Sequence, residues 1–311
     1  MVASIDFDPV VYAHSNALLT GAPGVTPILA DIRKPDKVLE LTSSEAGIDF
    51  SQPVGSSSRP PSLSLTATAT TDALHVMVQS LRAGLAGNAP FAKVVTVGHS
   101  LTSSTSIMEA IGHHDVDGVL LTGYSHMLSV PDVLGVISSY YPAADDPGFA
   151  GRGYDSTYLV TRPGARAADF YGLNPDPRVV ALDEATKETF SLTEYPDGLL
   201  ATLPGETSLM TALVLLVDGS HDRMVCGAGF AACADSATLQ ATESPFFPPA
   251  TRLRTYVLPD SGHAINLAPN TRDYHAVVID WMKSVVGCAS ATSSAAVSVA
   301  RPTGTQPAAA R

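Results

Sequence analysis

Basic charge is scarce in this 311-residue sequence, where 18 Lys and Arg stand against 30 Asp and Glu for a formal net charge of −12. A phosphate backbone or an anionic membrane surface needs clustered cations, so no nucleic-acid partner is expected. Long apolar runs are missing too. The best of them, such as Leu213 to Val217, fall well short of the roughly 20 residues that cross a bilayer, and no membrane span is expected. Cysteine is rare at three residues, too few for a disulfide scaffold. Cys226 and Cys233 lie seven apart in a Gly/Ala-rich stretch, and that spacing leaves a local pair and free thiols equally open. No G-x-x-x-x-G-K phosphate loop occurs. His113-His114-Asp115 offers ligand-like side chains, but adjacent positions point apart on a helix or strand, so neither a metal nor a cofactor is expected. Met1 to Asp8 has neither the basic start nor the apolar run of an export signal. As written the chain reads as cytosolic, and a signal upstream of it would make it secreted.

Apolar residues make up 45% of the chain and charged ones 15%, enough for a large core. Val25 to Arg33 has the apolar density of a buried strand, and residues 51–71 read as a Ser/Pro/Thr-rich loop. From Asp72, Leu74, Met77, Val78, Leu81 and Leu85 recur at helical steps, closed by Gly84 and Gly87. Lys93 to Gly98 reads as a buried parallel strand, 101–111 as a helix, and Val116 to Tyr124 as the next strand. Strands resume at Ala212 to Val217 and Leu253 to Leu258, before an amphipathic helix from about Asn270 to Val286. This alternation predicts an α/β fold, a mainly parallel sheet with helices on both faces. Residues 125–205 break the rhythm with Pro, Gly, Tyr and Asp and short helical pieces such as 180–190; that length reads as an inserted cap. The expected organisation is one domain over 1–287 and a disordered Ala/Ser/Thr/Pro-rich tail over 288–311.

Gly98-His99-Ser100-Leu101-Thr102 falls where the strand meets the helix. It follows the pattern G-x-S-x-G, in which a serine on a sharp turn exposes its hydroxyl, with Thr102 in place of the last glycine. An N-cap serine would fit the same place. A serine hydroxyl becomes a nucleophile only when a base takes its proton and an acid orients that base. Two later strands end in such groups: Asp218-Gly219-Ser220-His221-Asp222, and Pro259-Asp260-Ser261-Gly262-His263. Both clusters fall at carboxyl ends of parallel strands, where such sheets bind ligands. Asp218, Asp222 and Asp260 compete as the acid. His99 reads as a packed core histidine and His221 as a loop residue.

The segments VVTVGHSLTSS (94–104), VDGVLLTGYS (116–125), ALDEATKETF (181–190), LVLLVDGSHDRMVCG (213–227) and YVLPDSGHAINL (256–267) resemble α/β-hydrolases, and closely a set of serine hydrolases found in fungi. The resemblance covers residues 72–287. It implies Ser100 as nucleophile, Asp222 as acid and His263 as general base, with the peptide N–H of Leu101 as one oxyanion donor. It also implies a Cys226–Cys233 disulfide.

The usual second oxyanion donor comes from a His-Gly loop, and no His-Gly pair precedes Ser100. His14, ending the run Val10 to Ala13, is the nearest substitute. Only ten residues separate His14 from Val25, so the first 70 residues look shortened or rearranged against the family, whose first strands would lie before this point. His99, Tyr124 and Tyr171 are candidate substrate contacts; Tyr140, Tyr141 and Phe170 read equally as cap packing or as an aromatic wall. The expected reaction is hydrolysis of a small apolar carboxylic ester or lactone through an acyl-enzyme, with no protein partner. The rival expectations are a degenerate hydrolase that binds without turnover, and an isomerase or lyase using His263 as base.

Overall fold

The computed structural model describes residues 2–6, 25–29, 62–84 and 89–287. His14, Cys288 and the tail after it lie outside the described residues, as do 51–61 of the expected loop. Strands β1 (Val2–Asp6) and β2 (Val25–Leu29) pair in parallel as a two-stranded sheet of their own. Helix α1 spans Ala67–Ala83, several residues earlier than its apolar spacing alone indicates. The reason is a cap: Thr66, in an extended conformation, accepts a hydrogen bond from Ala69 N and starts the helix within the expected loop.

Four parallel strands carry the rest. β3 (Val95–His99) leads directly into α2 (Leu101–His113), which is followed by β4 (Gly118–Thr122). The next segment holds α3 (Val130–Ser138), β5 (Tyr140–Pro142), β6 (Tyr158–Thr161), α4 (Ala165–Phe170), α5 (Pro177–Ala185), β7 (Phe190–Ser191) and α6 (Tyr195–Gly198). Then come β8 (Leu213–Gly219), α7 (Ser236–Glu243), β9 (Arg254–Leu258) and α8 (Thr271–Val286). The sheet runs β3-β4-β8-β9, with Val97 opposite Leu120, Leu120 opposite Leu215 and Val217 opposite Tyr256.

Alternation along the two central strands decides what covers each face. Val119, Leu121, Val214 and Leu216 pack with Val78 of α1, Ile107 of α2 and Leu239 of α7. Leu120, Leu215 and Val217 pack with Tyr274, Trp281 and Val285 of α8. Buried on both faces, Val119–Leu121 of β4 and Val214–Val217 of β8 are apolar without a break, and the polar Thr122 and Asp218 follow only at the carboxyl ends. The fold class is α/β, a mainly parallel sheet flanked by helices. Among the described residues no helix is long and apolar enough to cross a membrane.

Between β4 and β8, strands β5, β6 and β7 form a separate antiparallel sheet with its own small core of Ala143, Phe149, Tyr158 and Val160. The expected short helical pieces are present beside it as α3 to α6. The helix expected over 180–190 is α5, which stops at Ala185, and its last residues run into β7. Strands of two to four residues carry too little alternation to declare themselves.

Candidate active site

Ser100 adopts φ 55° and ψ −127°, a conformation rare for a residue with a Cβ. Such a turn costs about 1–3 kcal/mol and persists only where the surroundings hold it. Its amide donates to Thr122 O at 2.8 Å, and its carbonyl accepts from Ser103 N at 2.9 Å. The hydroxyl caps no helix, which removes the N-cap reading. Gly98 explains how the turn closes. A Cβ there would stand 2.4 Å from Ser103 Cα and 2.5 Å from Thr102 O. The close contact is therefore with backbone at 102 and 103, and Thr102 escapes it by facing solvent. The Thr102 hydroxyl accepts from His99 N at 2.9 Å and donates to His99 O at 2.8 Å. The departure from the last glycine thus straps the turn together.

His263 and Asp222 meet at the ends of their strands. His263 Nδ1 lies 2.6 Å from Asp222 Oδ2, with the carboxylate fully buried and the imidazole 5% exposed. Asp222 Oδ1 accepts from Met224 N at 3.0 Å, so both oxygens are fixed. With Nδ1 engaged, the ring's other nitrogen is left for a reacting group. The loop bearing His263 is pinned by backbone bonds from His221 N to Ser261 O and from Ala264 N to Phe170 O, each 2.8 Å. Cys226 and Cys233 form a disulfide, and Cys226 N donates to Asp222 O at 3.3 Å, so the cross-link braces the loop that carries Asp222.

Ser100, Leu101, Gly123, Tyr124 and His263 line one cleft of about 500 Å³, open solvent at its mouth included. Leu128, Val133, Tyr195, Leu199 and Met224 supply most of its apolar wall. None of these five stood out in the sequence, because lone apolar residues in irregular chain have no pattern to read. Leu101 is the first residue of α2, so its N–H has no partner within the helix.

Asp218, which competes with Asp222 in the sequence, is fully buried and accepts from Tyr124 N at 3.0 Å. Burial, then the charge of Asp222, pushes its carboxyl well above the usual range. Asp260 sits at φ 58° in an exposed turn. His221 bonds its neighbour Ser220 at 2.9 Å.

Two expected substrate contacts lie off the cleft. Tyr171 donates its hydroxyl to Asp183 at 3.0 Å and lines a different, smaller recess. It is Phe170, the residue before it, whose ring lies 5.9 Å from that of His263. His99 does not line the cleft. Its Nδ1 is 3.0 Å from the Thr122 hydroxyl, and its ring lies 4.8 Å from His263. Burial, then His263, pushes its pKa down to about 3, which keeps it neutral beside the catalytic candidate. Tyr124 does line the cleft, with its hydroxyl donating to Ala201 O at 3.0 Å. His126, just beyond it, pairs with buried Glu243 at 2.6 Å and secures the chain leaving β4 to α7. His113 and His114 do not act as a pair with Asp115. Asp115 instead meets His75 and Glu109.

No curated protein matches the chain. Residues 1–86 match the profile of a family described as S-adenosyl methyltransferase; this span takes in β1, β2 and α1. Among solved structures, the chain is similar to a monoacylglycerol lipase from Paleococcus ferrophilus (15% identity, TM-score 0.47), covering 91% of this chain and 93% of that one. It is also similar to a methylesterase from Arabidopsis (13%, TM-score 0.46, 91% and 100%) and to a thermophilic esterase from Thermogutta terrifontis (18%, TM-score 0.43, 71% and 73%). At such identities nothing about substrate transfers.

Proposed function

We propose that the protein is a serine hydrolase of the α/β-hydrolase type that cleaves a small apolar carboxylic ester or lactone by acyl transfer to water. The observation that carries this reading is the convergence of Ser100, on its strained turn, with the Asp222–His263 pair on one apolar cleft. In the proposed reaction the Ser100 hydroxyl oxygen attacks the ester carbonyl while the free nitrogen of His263 takes its proton. Asp222 holds the imidazole in the required tautomer and stabilises the imidazolium that forms. The tetrahedral oxyanion is stabilised by the N–H of Leu101 at the positive end of α2. Collapse expels the alcohol, which leaves with the proton from His263. Water then repeats the sequence on the acyl-enzyme and releases the acid. The insertion between β4 and β8 contributes Leu128, Val133, Tyr195 and Leu199, whose apolar side chains favour an apolar acyl or alcohol group.

Residues 1–86 bring a second family description to the chain, yet α1, which lies within that span, packs against α2 through Val78 and Ile107. Helix α1 is thus built into the same core that positions Ser100. The test is a fluorophosphonate probe on folded protein, with ester turnover measured alongside. Labelling at Ser100, lost together with turnover in Ser100→Ala, is the expected result. Folded protein that stays unlabelled and inactive would indicate a binding protein. Turnover that survives Ser100→Ala but not His263→Ala would make His263 the base of an isomerase or lyase.

A further inference from the structure

Away from the cleft, three side chains that the proposed reaction does not use converge between α1 and α2. His75 lies on α1, Glu109 in the last turns of α2, and Asp115 in the connection that follows. His75 Nδ1 is 3.4 Å from a Glu109 oxygen and 3.2 Å from Asp115 Oδ2, and one ligand atom from each of the three lies within 4.8 Å of the others. Four-coordinate Zn²⁺, with bonds of about 2.0–2.2 Å, sets its ligands about 3.3–3.5 Å apart at the tetrahedral edge. The two imidazole–carboxylate separations, 3.4 and 3.2 Å, lie close to that edge.

An ordinary surface ion pair does not account for this cluster. Glu109 is fully buried, and its second oxygen has no hydrogen-bond partner; one oxygen of Asp115 is likewise buried and unpartnered. Two carboxylates held this close, one of them fully buried, favour a proton or a cation between them. The surroundings hold the three ligands in place. The His113 ring stacks on His75 at 3.5 Å, Gln79 donates to Asp115 Oδ2, and Arg82 donates to the Asp115 carbonyl while pairing with Asp117. Orienting partners of this kind are what a ligand set needs.

We propose that His75, Glu109 and Asp115 form a binding site for a divalent first-row metal ion, Zn²⁺ by preference, that clamps α1 to the helix headed by Ser100. The imidazole favours Zn²⁺ over Mg²⁺ or Ca²⁺, which take oxygen ligands. The site is structural, lying at the opposite end of α2 from Ser100, and does not depend on the reaction proposed for the cleft.

The experiment uses untagged full-length protein, stripped with chelator and titrated with Zn²⁺ by calorimetry and with Co²⁺ by visible absorption. The expected result is one ion per chain, tetrahedral ligand-field bands with Co²⁺, and a rise in Tm. His75→Ala and Asp115→Asn, both at partly exposed positions, should each weaken binding by at least about 100-fold, the upper end of what loss of an outer-shell partner costs. Their circular dichroism should match the wild type. Absence of binding to the wild-type protein, or variants that retain its affinity, would overturn the proposal.

Discussion

Gly123 and His263 are so close that position 123 tolerates no side chain. A Cβ at Gly123 would stand 2.8 Å from His263 Cε1 and 3.0 Å from its Nδ1, and the backbone there has φ +58°. Gly123→Ala should therefore push the imidazole off Asp222 while leaving the buried sheet intact. A misplacement of about 1 Å costs about 100-fold in rate. Turnover of an activated ester should drop by at least that factor with an unchanged far-ultraviolet spectrum; an unimpaired Gly123→Ala would show that the observed ring position is not the working one.

Asp222 and Asp218 should respond in opposite ways to the same chemical change. Asp222→Asn keeps the shape but reverses the hydrogen bond to His263 Nδ1 and leaves the wrong tautomer, a change worth about 10⁴ in kcat in the well-studied triads. Asp218 is pushed up by burial and by Asp222, so a neutral amide resembles the form it already favours. Asp218→Asn should leave kcat within a few-fold and Tm little altered. Equal losses in both variants would mean that Asp218 shares the acid's role.

Thr102 turns a departure from the usual pattern into a test. Thr102→Gly restores G-x-S-x-G but deletes two hydrogen bonds across the turn and adds backbone freedom. Each net hydrogen bond contributes about 1 kcal/mol. The variant should lose about 2 kcal/mol in urea unfolding and gain nothing in rate, whereas a faster variant would identify Thr102 as an obstruction.

What the sequence disclosed, and what it withheld, follows from length and burial. The centres of β4 and β8 are buried on both faces, so they show as short unbroken apolar runs, and the polar clusters after the strands mark the sheet's carboxyl edge. Ser100, Asp222 and His263 could be picked out because strand ends locate them. Spacing alone leaves Asp218, Asp222 and Asp260 open, and it is the family resemblance that favours Asp222, since burial and the direction of a carboxylate leave no trace in spacing. β5 to β7 were missed for their shortness. Phe170 and Tyr171 are adjacent aromatics, and composition alone does not say which of them faces His263. His75, Glu109 and Asp115 come from three separate elements, so no local motif joins them, and the run His113-His114-Asp115 holds only one of the three. The front segment resisted the α/β-hydrolase pattern, and it is this stretch whose residues 1–86 match a different family's profile.

The Cys226–Cys233 bond closes a loop with a sequence separation of 7. Loop-closure entropy for so short a ring amounts to about 2–3 kcal/mol. Because Cys226 N bonds Asp222 O, reduction should loosen the acid's loop before the sheet unfolds. A mild reductant should lower Tm by several degrees and turnover with it, both restored on reoxidation. Unchanged turnover in the reduced protein would show that the loop holds Asp222 without the cross-link.

Glu109 gives the metal-free protein a pH dependence whose sign is fixed by its surroundings. Its folded pKa stands near 7 against an ordinary 4.5, raised by burial and then by Asp115, with His75 opposing. The folded chain therefore keeps a proton that the unfolded chain releases, and stability must fall as pH rises through that interval. The contribution is complete below about 4.5 and gone above about 7. Glu109→Gln is neutral at every pH, so it should be less sensitive over this range than the wild type when both are unfolded in urea with chelator present. Zn²⁺ should flatten or reverse the wild-type slope, because a bound cation favours the ionised carboxylate. Identical slopes in wild type and variant would mean that Glu109 is ionised throughout, and the facing carboxylates would then need another source of neutralisation.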